Sequence, residues 1–352
     1  MQSDIRRAVL AVAAVAAAIP LALTPAMSAS GSDTAIAFHD DPGGADDVFL
    51  LEPTSGHVRR LTNGLEAVAT PVWSPDGTRV AFHGRADGVA DIYVAAANNG
   101  EIVRLTHSSG EHYALSWSPD GKRLAFVCCS EQSQAIYVMN ADGTHRSRIA
   151  RHAGQPTWSP NGRKLAFLSL RDGNAELYSM DPTGRRLRRL TRSRQEDADP
   201  AWSPDGRRIA FDSRRIHGRS QIYVMAADGS HPKRLVADRW NDQQPSWSPN
   251  GKRILFTSFR NRDPNLRGIG NAEIITVDAN GSQPRNLTHS AAWEGDPVWS
   301  PDGSSIAYAV RRDFGPRGLF DVETMSVDGG GRRSFPAVQQ LAANACCPAW
   351  QP

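Results

Sequence analysis

Trp202-Ser203-Pro204-Asp205-Gly206-Arg207-Arg208-Ile209-Ala210-Phe211 is the stretch on which the fold turns. Proline presets φ at the first corner of a turn, aspartate tolerates the next position, and glycine takes the left-handed one that closes it. These residues therefore read as a tight turn feeding a strand. The pattern recurs: Trp-Ser-Pro-Asp/Asn-Gly stands at 73–77, 117–121, 158–162, 202–206, 247–251 and 299–303. Nine residues after each Trp comes an aromatic: Phe82, Phe126, Phe167, Phe211, Phe256 or Tyr308. A second block begins at Asp47, Asp91, Ala135, Glu176, Gln221, Glu273 and Asp321, and runs fifteen residues to Thr62, Thr106, Ala150, Thr191, Val236, Thr288 and Pro336. Within it, Asp142-Gly143, Asp228-Gly229 and Asn280-Gly281 mark a second hairpin.

Each unit thus supplies four short strands, a to d. One four-stranded sheet cannot bury both faces alone, whereas radial stacking buries them and lets Trp and Phe fill the space between neighbours. That architecture is an all-β propeller. The chain enters at Ala35-Ile36-Ala37-Phe38, a strand b with no turn motif before it, and ends at Pro348-Ala349-Trp350, a strand a with nothing after it. The last strand then completes the first blade. Seven strands a and seven strands b predict seven antiparallel blades; six is the alternative if one terminal unit is not a full blade.

Trp-Ser-Pro-Asp-Gly followed by Ile-Ala-Phe, then Ile-Tyr-Val-Met, Asp-Gly and Arg-Leu-Thr, resembles the WD40-like repeats of the TolB family. Similar repeats build the propellers of prolyl oligopeptidases, dipeptidyl peptidases and the tricorn protease. The resemblance covers residues 33–352 and implies the propeller rather than one activity. TolB proteins place an α/β domain ahead of six blades, a feature with no counterpart here.

Residues 1–30 read as a secretory signal: Arg6-Arg7, an apolar run from Ala8 to Leu23, then Ala26-Met27-Ser28-Ala29-Ser30 for cleavage. The expected organisation is signal peptide 1–30 and propeller 31–352. The expected location is outside the cytoplasm: periplasm, cell envelope or extracellular space. The formal charge is +3, with 40 basic against 37 acidic side chains. That argues against a strongly basic nucleic-acid binder.

Antiparallel order puts the a–b and c–d hairpins on one face of the disc and the b–c and d–a connections on the other. The hairpins keep one length, whereas the b–c connections grow in the sixth and seventh units (Thr257–Ala272 and Ala309–Phe320). Loops carry function on rigid scaffolds, so the b–c/d–a face is the expected working face. Arg85, Arg171, Arg214, Arg260 and Arg311 follow strand b there, and Asp197, Asp199, Asp242, Glu294 and Asp296 precede strand a. Trp240 and Trp293 fall in d–a connections of the same face. Arg grips carboxylate or phosphate bidentately, so Arg85, Arg171, Arg214, Arg260, Arg311, Asp197, Asp242, Glu294, Trp240 and Trp293 form a candidate ligand site. The competing reading is Arg–Asp pairs tying neighbouring blades together.

His39 and His83 share one repeat position, while His112 and His152 precede strand a in the next two blades. Oligogalacturonate lyases, which have similar repeats, hold a metal on His at such a mouth. The His here lack fixed metal-ligand spacing, so no metal and no cofactor is expected. Cys128-Cys129 and Cys346-Cys347 lie on the working face, by count in neighbouring blades. In an exported chain they are expected to form disulfides. Two connectivities bridge the blades and pin the closing strand; the third makes vicinal rings. No Gly-x-Ser-x-Gly elbow, His-Glu-x-x-His or phosphate loop occurs. The expectation is a monomeric, non-enzymatic scaffold that docks a protein, peptide or glycan. The alternative is a polysaccharide lyase or glycan hydrolase using His and Arg at the mouth.

Overall fold

The computed structural model describes residues 34–40, 47–63, 65, 67–107, 110–128, 134–216, 218–261, 271–311, 320–336, 338 and 346–352. The expected signal segment lies outside them. Seven four-stranded antiparallel sheets form a seven-bladed β-propeller. The seven innermost strands are Cys346–Trp350, Ala67–Trp73, His112–Trp117, Ala153–Trp158, Asp197–Trp202, Asn241–Trp247 and Trp293–Trp299, for blades 1 to 7. Blade 1 closes the ring: the C-terminal strand pairs with Ile36–Asp40 through Ile36↔Trp350 and Ala37↔Ala349.

The Trp of each motif joins one blade to the one before it. Its indole N–H donates to a carbonyl of the preceding inner strand: Trp73 to Ala349, Trp117 to Val72, Trp158 to Ser116, Trp202 to Thr157, Trp247 to Ala201 and Trp299 to Ser246, at 3.0–3.3 Å. Trp350, at the closing joint, makes no such bond among the described residues. Arg79, Arg123 and Arg208 each lie over the Trp of the next blade, at 4.6–4.8 Å. The strand-b aromatics are fully buried between blades.

The fifteen-residue spacing of the second block is a hydrogen-bonded clasp between strands c and d. Thr191 Oγ1 donates to Glu176 at 2.5 Å and accepts from the Leu177 N–H at 2.9 Å, while Arg189 closes on the same carboxylate at 3.1 Å. Asp47, Arg60 and Thr62 repeat it in blade 1, and Asp91, Arg104 and Thr106 in blade 2. In blade 3 the acid and the threonine are both replaced, by Ala135 and Ala150. Losing both partners together leaves no buried polar group stranded.

Candidate functional site

Every inner strand carries a β-bulge three residues before its Trp. In blade 2, Ala69 pairs with His83 and Val72 with Ala81, so Thr70 and Pro71 together face Phe82. The same two-against-one count recurs in all seven blades. The bulged residue is non-glycine and left-handed each time: Thr70, Ala114, Gln155, Asp199, Gln244, Asp296 and Cys347, with φ between 49° and 60°. Bulges re-aim side chains. These residues sit on the innermost strands, flanked by strand b and by the neighbouring blades, so their open side is the central channel. Ala114, Gln155, Asp199, Gln244 and Asp296 are accordingly half-buried. Adjacent bulges touch: Gln155 Nε2 donates to Asp199 Oδ1 at 2.5 Å and Gln155 Oε1 accepts from the Asp199 N–H at 3.1 Å. Gln244 hydrogen-bonds the Asp296 carboxyl in the same way.

The ring has two chemical halves. In blades 5 to 7, burial pushes carboxyl pKa values up. Asp242 rises to about 7, from burial and then the Asp238 charge, and Asp296 to about 7 from burial. Asp197 and Glu294 are raised by burial. Asp199 is raised by burial and by the charge of Asp212, with which it hydrogen-bonds, and burial raises Asp212 as well. In blades 1 to 3 burial keeps histidines neutral: His39 falls to about 4, and His83 to about 3 with His112 adding to the effect. His39 Nδ1, His83 Nε2 and Thr257 Oγ1 occupy one repeat position, and each is buried with no hydrogen-bond partner among the described residues.

The expected site residues sort differently from the sequence reading. Arg85, Arg214, Arg260 and Arg311 lie on strands rather than loops, because strands b and c run further than expected; in blade 2 only Asp87-Gly88 separate them. Arg171 alone is on a connection, where it covers Tyr178 at 4.8 Å. The Arg–acid pairs mostly close within one blade: Arg214–Glu196 at 2.8 Å, Arg260–Asp238 at 3.3 Å, and Asp197 to Arg215 at 2.7 Å. Glu294 meets Arg332 at 3.3 Å. Only Arg85–Glu111, at 3.0 Å, spans two blades among these pairs. The pairs thus order the mouth of each blade instead of tying neighbours, since residues after strand b and before strand a lie side by side in one sheet.

Trp293 begins the inner strand of blade 7 rather than sitting in a connection. It stands in register with Arg311, and Arg311 with Phe320. The Trp293 and Phe320 rings meet edge-on with centroids 5.4 Å apart, and the Arg311 guanidinium lies over Phe320 at 5.4 Å. Trp240 is covered by Arg239 at 4.8 Å. Both Trp are half-buried.

Of the histidines, His83 and His112 come together, and His112 Nδ1 lies 3.0 Å from the Ala90 carbonyl. His152 is exposed. Among the described residues, no group of three His, Cys, Asp or Glu could hold a metal ion. The cysteine pairs are not in neighbouring blades: Cys128 ends strand b of blade 3 and Cys347 opens blade 1, with all of blade 2 between them. Numbering the blades from the C-terminal closing strand shifts each motif blade by one. Cys128 Sγ accepts from Arg146 at 3.1 Å. Cys129 and the Cys346 side chain lie outside the described residues.

The bulge ring escaped the sequence reading. Its residue types differ from blade to blade, so no motif marks it. The available signal was proline two residues before Trp, at Pro71, Pro156, Pro200, Pro245, Pro297 and Pro348, because proline inside a sheet marks an edge or a bulge.

A circular stack of seven such four-stranded blades around a polar mouth defines a β-propeller. The TolB beta propeller domain matches residues 114–351, more than half of the chain, and the tricorn protease N-terminal beta propeller domain matches residues 28–135. The chain belongs to the TolB β-propeller family. It is similar in fold to TolB from Acinetobacter baumannii, at 23% identity and TM-score 0.59, over 92% of this chain and 84% of that one. It is also similar to an oligogalacturonate lyase from Vibrio parahaemolyticus, at 12% identity and TM-score 0.64, over 83% of this chain and 86% of that one. A puromycin-hydrolyzing peptidase from Mycobacterium tuberculosis matches at 16% identity and TM-score 0.65, over 92% of this chain and 53% of that one. No curated protein matches in sequence.

Proposed function

We propose that the chain is an exported, non-enzymatic scaffold that docks a protein, peptide or glycan on its b–c/d–a face. The observation that carries this reading is the Trp293–Arg311–Phe320 platform of blade 7, together with Trp240 under Arg239 ahead of the blade 6 inner strand. Half-buried Trp and Arg are the side chains that dominate binding hot spots, and rigid aromatic faces also stack on sugars. The channel mouth offers half-buried Gln and Asp side chains for orientation. A lyase or hydrolase has less beneath it, since His39 and His152 do not join the His83–His112 pair. The test passes cell-envelope extract over immobilised protein. Species retained by the wild type are expected to be lost from Trp240→Ala and Trp293→Ala. They should stay on a hairpin-face variant with Lys122, Arg163, Lys164 and Arg207 all changed to Ser. A footprint on the hairpin face overturns the proposal.

Two further expectations belong to the same reading. Export predicts a mature N-terminus near Ser28 or Ser30, read by mass spectrometry of protein recovered outside the cytoplasm. A disulfide is proposed to bridge blade 3 to the closing strand through Cys129 and Cys347. Support comes from Cys128, which turns its sulfur to Arg146 and so leaves the bridging role in its pair to Cys129.

A further inference from the structure

The outer edge of blade 4 departs from every other blade. In the ten residues starting at the c–d turn glycine, the seven blades carry 2, 1, 3, 5, 2, 1 and 2 basic residues in order. The five of blade 4 are Arg185, Arg186, Arg188, Arg189 and Arg192, with Arg194 just beyond and no acid from Arg185 to Arg194. One of them, Arg189, closes the clasp on Glu176 and also reaches Asp172. The other side chains are exposed. Arg185, Arg186, Arg192 and Arg194 form no ion pair among the described residues. Arg188 meets Asp228 only at 3.9 Å, with both partners more than half exposed.

The patch continues onto blade 3. A Cβ on Gly184 would lie 3.0 Å from the Ile149 carbonyl, so the blade 4 turn rests on the blade 3 outer strand, where Arg148 and Arg151 are exposed. In the middle of the patch stands Leu187, at 48% one of two large hydrophobics exposed among the described residues. Charge on an outer strand also blocks edge-to-edge pairing, but one to three basic residues serve the other blades.

We propose that this rim, Arg148, Arg151, Arg185, Arg186, Arg188, Arg192 and Arg194 around Leu187, docks on a membrane surface of anionic phospholipid. Guanidinium groups pair bidentately with phosphate, and basic residues at an anionic surface each add to binding. Leu187 between Arg186 and Arg188 favours a lipid interface over a soluble polyanion, because only the interface covers an apolar side chain. The site stands apart from the mouth and does not depend on what docks there.

The test is co-sedimentation of the full chain with vesicles of phosphatidylcholine alone or with about 30% phosphatidylglycerol, a mixture chosen to mimic anionic surfaces. Binding is expected to the anionic vesicles only, and to be lost at high salt. Changing Arg185, Arg186, Arg188 and Arg192 together to Ser, with Arg189 kept, should lower partition at least about thirtyfold. The hairpin-face variant at Lys122, Arg163, Lys164 and Arg207 removes the same charge and should change it less than about threefold. Leu187→Ser should weaken vesicle binding without altering binding of inorganic polyphosphate. Thermal melts of the rim variant are expected to match the wild type, which keeps misfolding out of the result. An equal fall in both charge variants overturns the proposal, as does binding to neutral vesicles. Vesicle binding unchanged by Leu187→Ser, with polyphosphate bound as well, also overturns it, in favour of a soluble polyanion.

Discussion

Asp296→Asn isolates the electrostatics of the channel ring. Burial lifts the folded Asp296 carboxyl to about 7, from an unfolded value of 3.8. At pH 5 the folded group keeps its proton while the unfolded chain has largely lost its own. The folded state therefore binds more protons, and stability falls as pH rises, until both states are ionised above the folded pKa. Integrating from pH 5 to pH 8 takes about 2 of the roughly 3 units, at about 1.36 kcal/mol each, or at most about 2.7 kcal/mol. Asn preserves the bond to Gln244 and has no proton to lose. For residues 35–352, an unfolding entropy of about 2.1 cal/mol/K per residue converts that to a Tm difference of about 4 °C. The expected result is that Asp296→Asn gains about 4 °C on the wild type between pH 5 and pH 8. His39 and His83, held neutral at about 4 and about 3, act oppositely: stability rises with pH up to the unfolded histidine value. They do so in both proteins and cancel in the difference. Asp242 behaves as Asp296 does and also cancels. The assay is differential scanning calorimetry at closely spaced pH. A Tm difference constant to within about 1 °C from pH 5 to pH 8 would refute the reasoning, since it means that Asp296 ionises in the folded protein near its ordinary pKa.

Gly295→Ala would place a Cβ 2.5 Å from the Trp293 ring. Trp293 must then leave Phe320, so acrylamide quenching should rise and partner retention fall; unchanged quenching counts against the platform. Thr191→Val in the blade 4 clasp strands the Leu177 N–H and removes the donor to Glu176 Oε2, while Arg189 and the Ser193 N–H stay on Oε1; it should cost about 1–3 kcal/mol in urea unfolding. Adding Glu176→Ala should recover part of that loss, as the Ala135/Ala150 arrangement of blade 3 implies; a further additive loss contradicts the clasp. Non-reducing peptide mapping should find Cys129 joined to Cys347. Because that bridge closes a loop of more than 200 residues, its loss should cost on the order of 4–5 kcal/mol by the chain-entropy account. A Cys346–Cys347 vicinal ring, or four free thiols, removes the bridge.

The blades were legible because their instructions are local. Ser203 Oγ hydrogen-bonds Asp205 at 2.5 Å, the Arg208 N–H donates to Ser203 Oγ at 2.9 Å, and Gly206 takes φ 66°. Each of these contacts lies within five residues, so the five-residue motif specifies the turn wherever it occurs. The clasp was half legible. The fifteen-residue interval stood out, but its meaning needs strands c and d paired so that Glu176 and Thr191 meet. The channel ring depends on backbone geometry that Thr, Ala, Gln, Asp and Cys all adopt, and only the recurring proline hinted at it. The mouth pairs were misassigned between blades because sequence order cannot say whether Arg214 leans toward its own Glu196 or across a gap.

The basic rim was concealed for another reason. A formal charge of +3 averages over 40 basic and 37 acidic side chains, and electrostatic attraction to a surface falls off within about a Debye length, roughly 8–10 Å. What a membrane experiences is thus the local excess on one blade edge, not the total. Repeat proteins allow that excess to be judged without homologues, because six sister blades with the same fold give the level that structure alone requires. The same comparison marks blades 5 to 7 as the acidic half of the channel and blade 7 as the aromatic sector of the mouth. Departures from the repeat unit, rather than the unit itself, are therefore where function should be sought in this chain. Grafting the blade 5 outer-edge residues onto blade 4 should preserve the fold while abolishing vesicle binding; loss of the fold would mean that the arginines serve the propeller first.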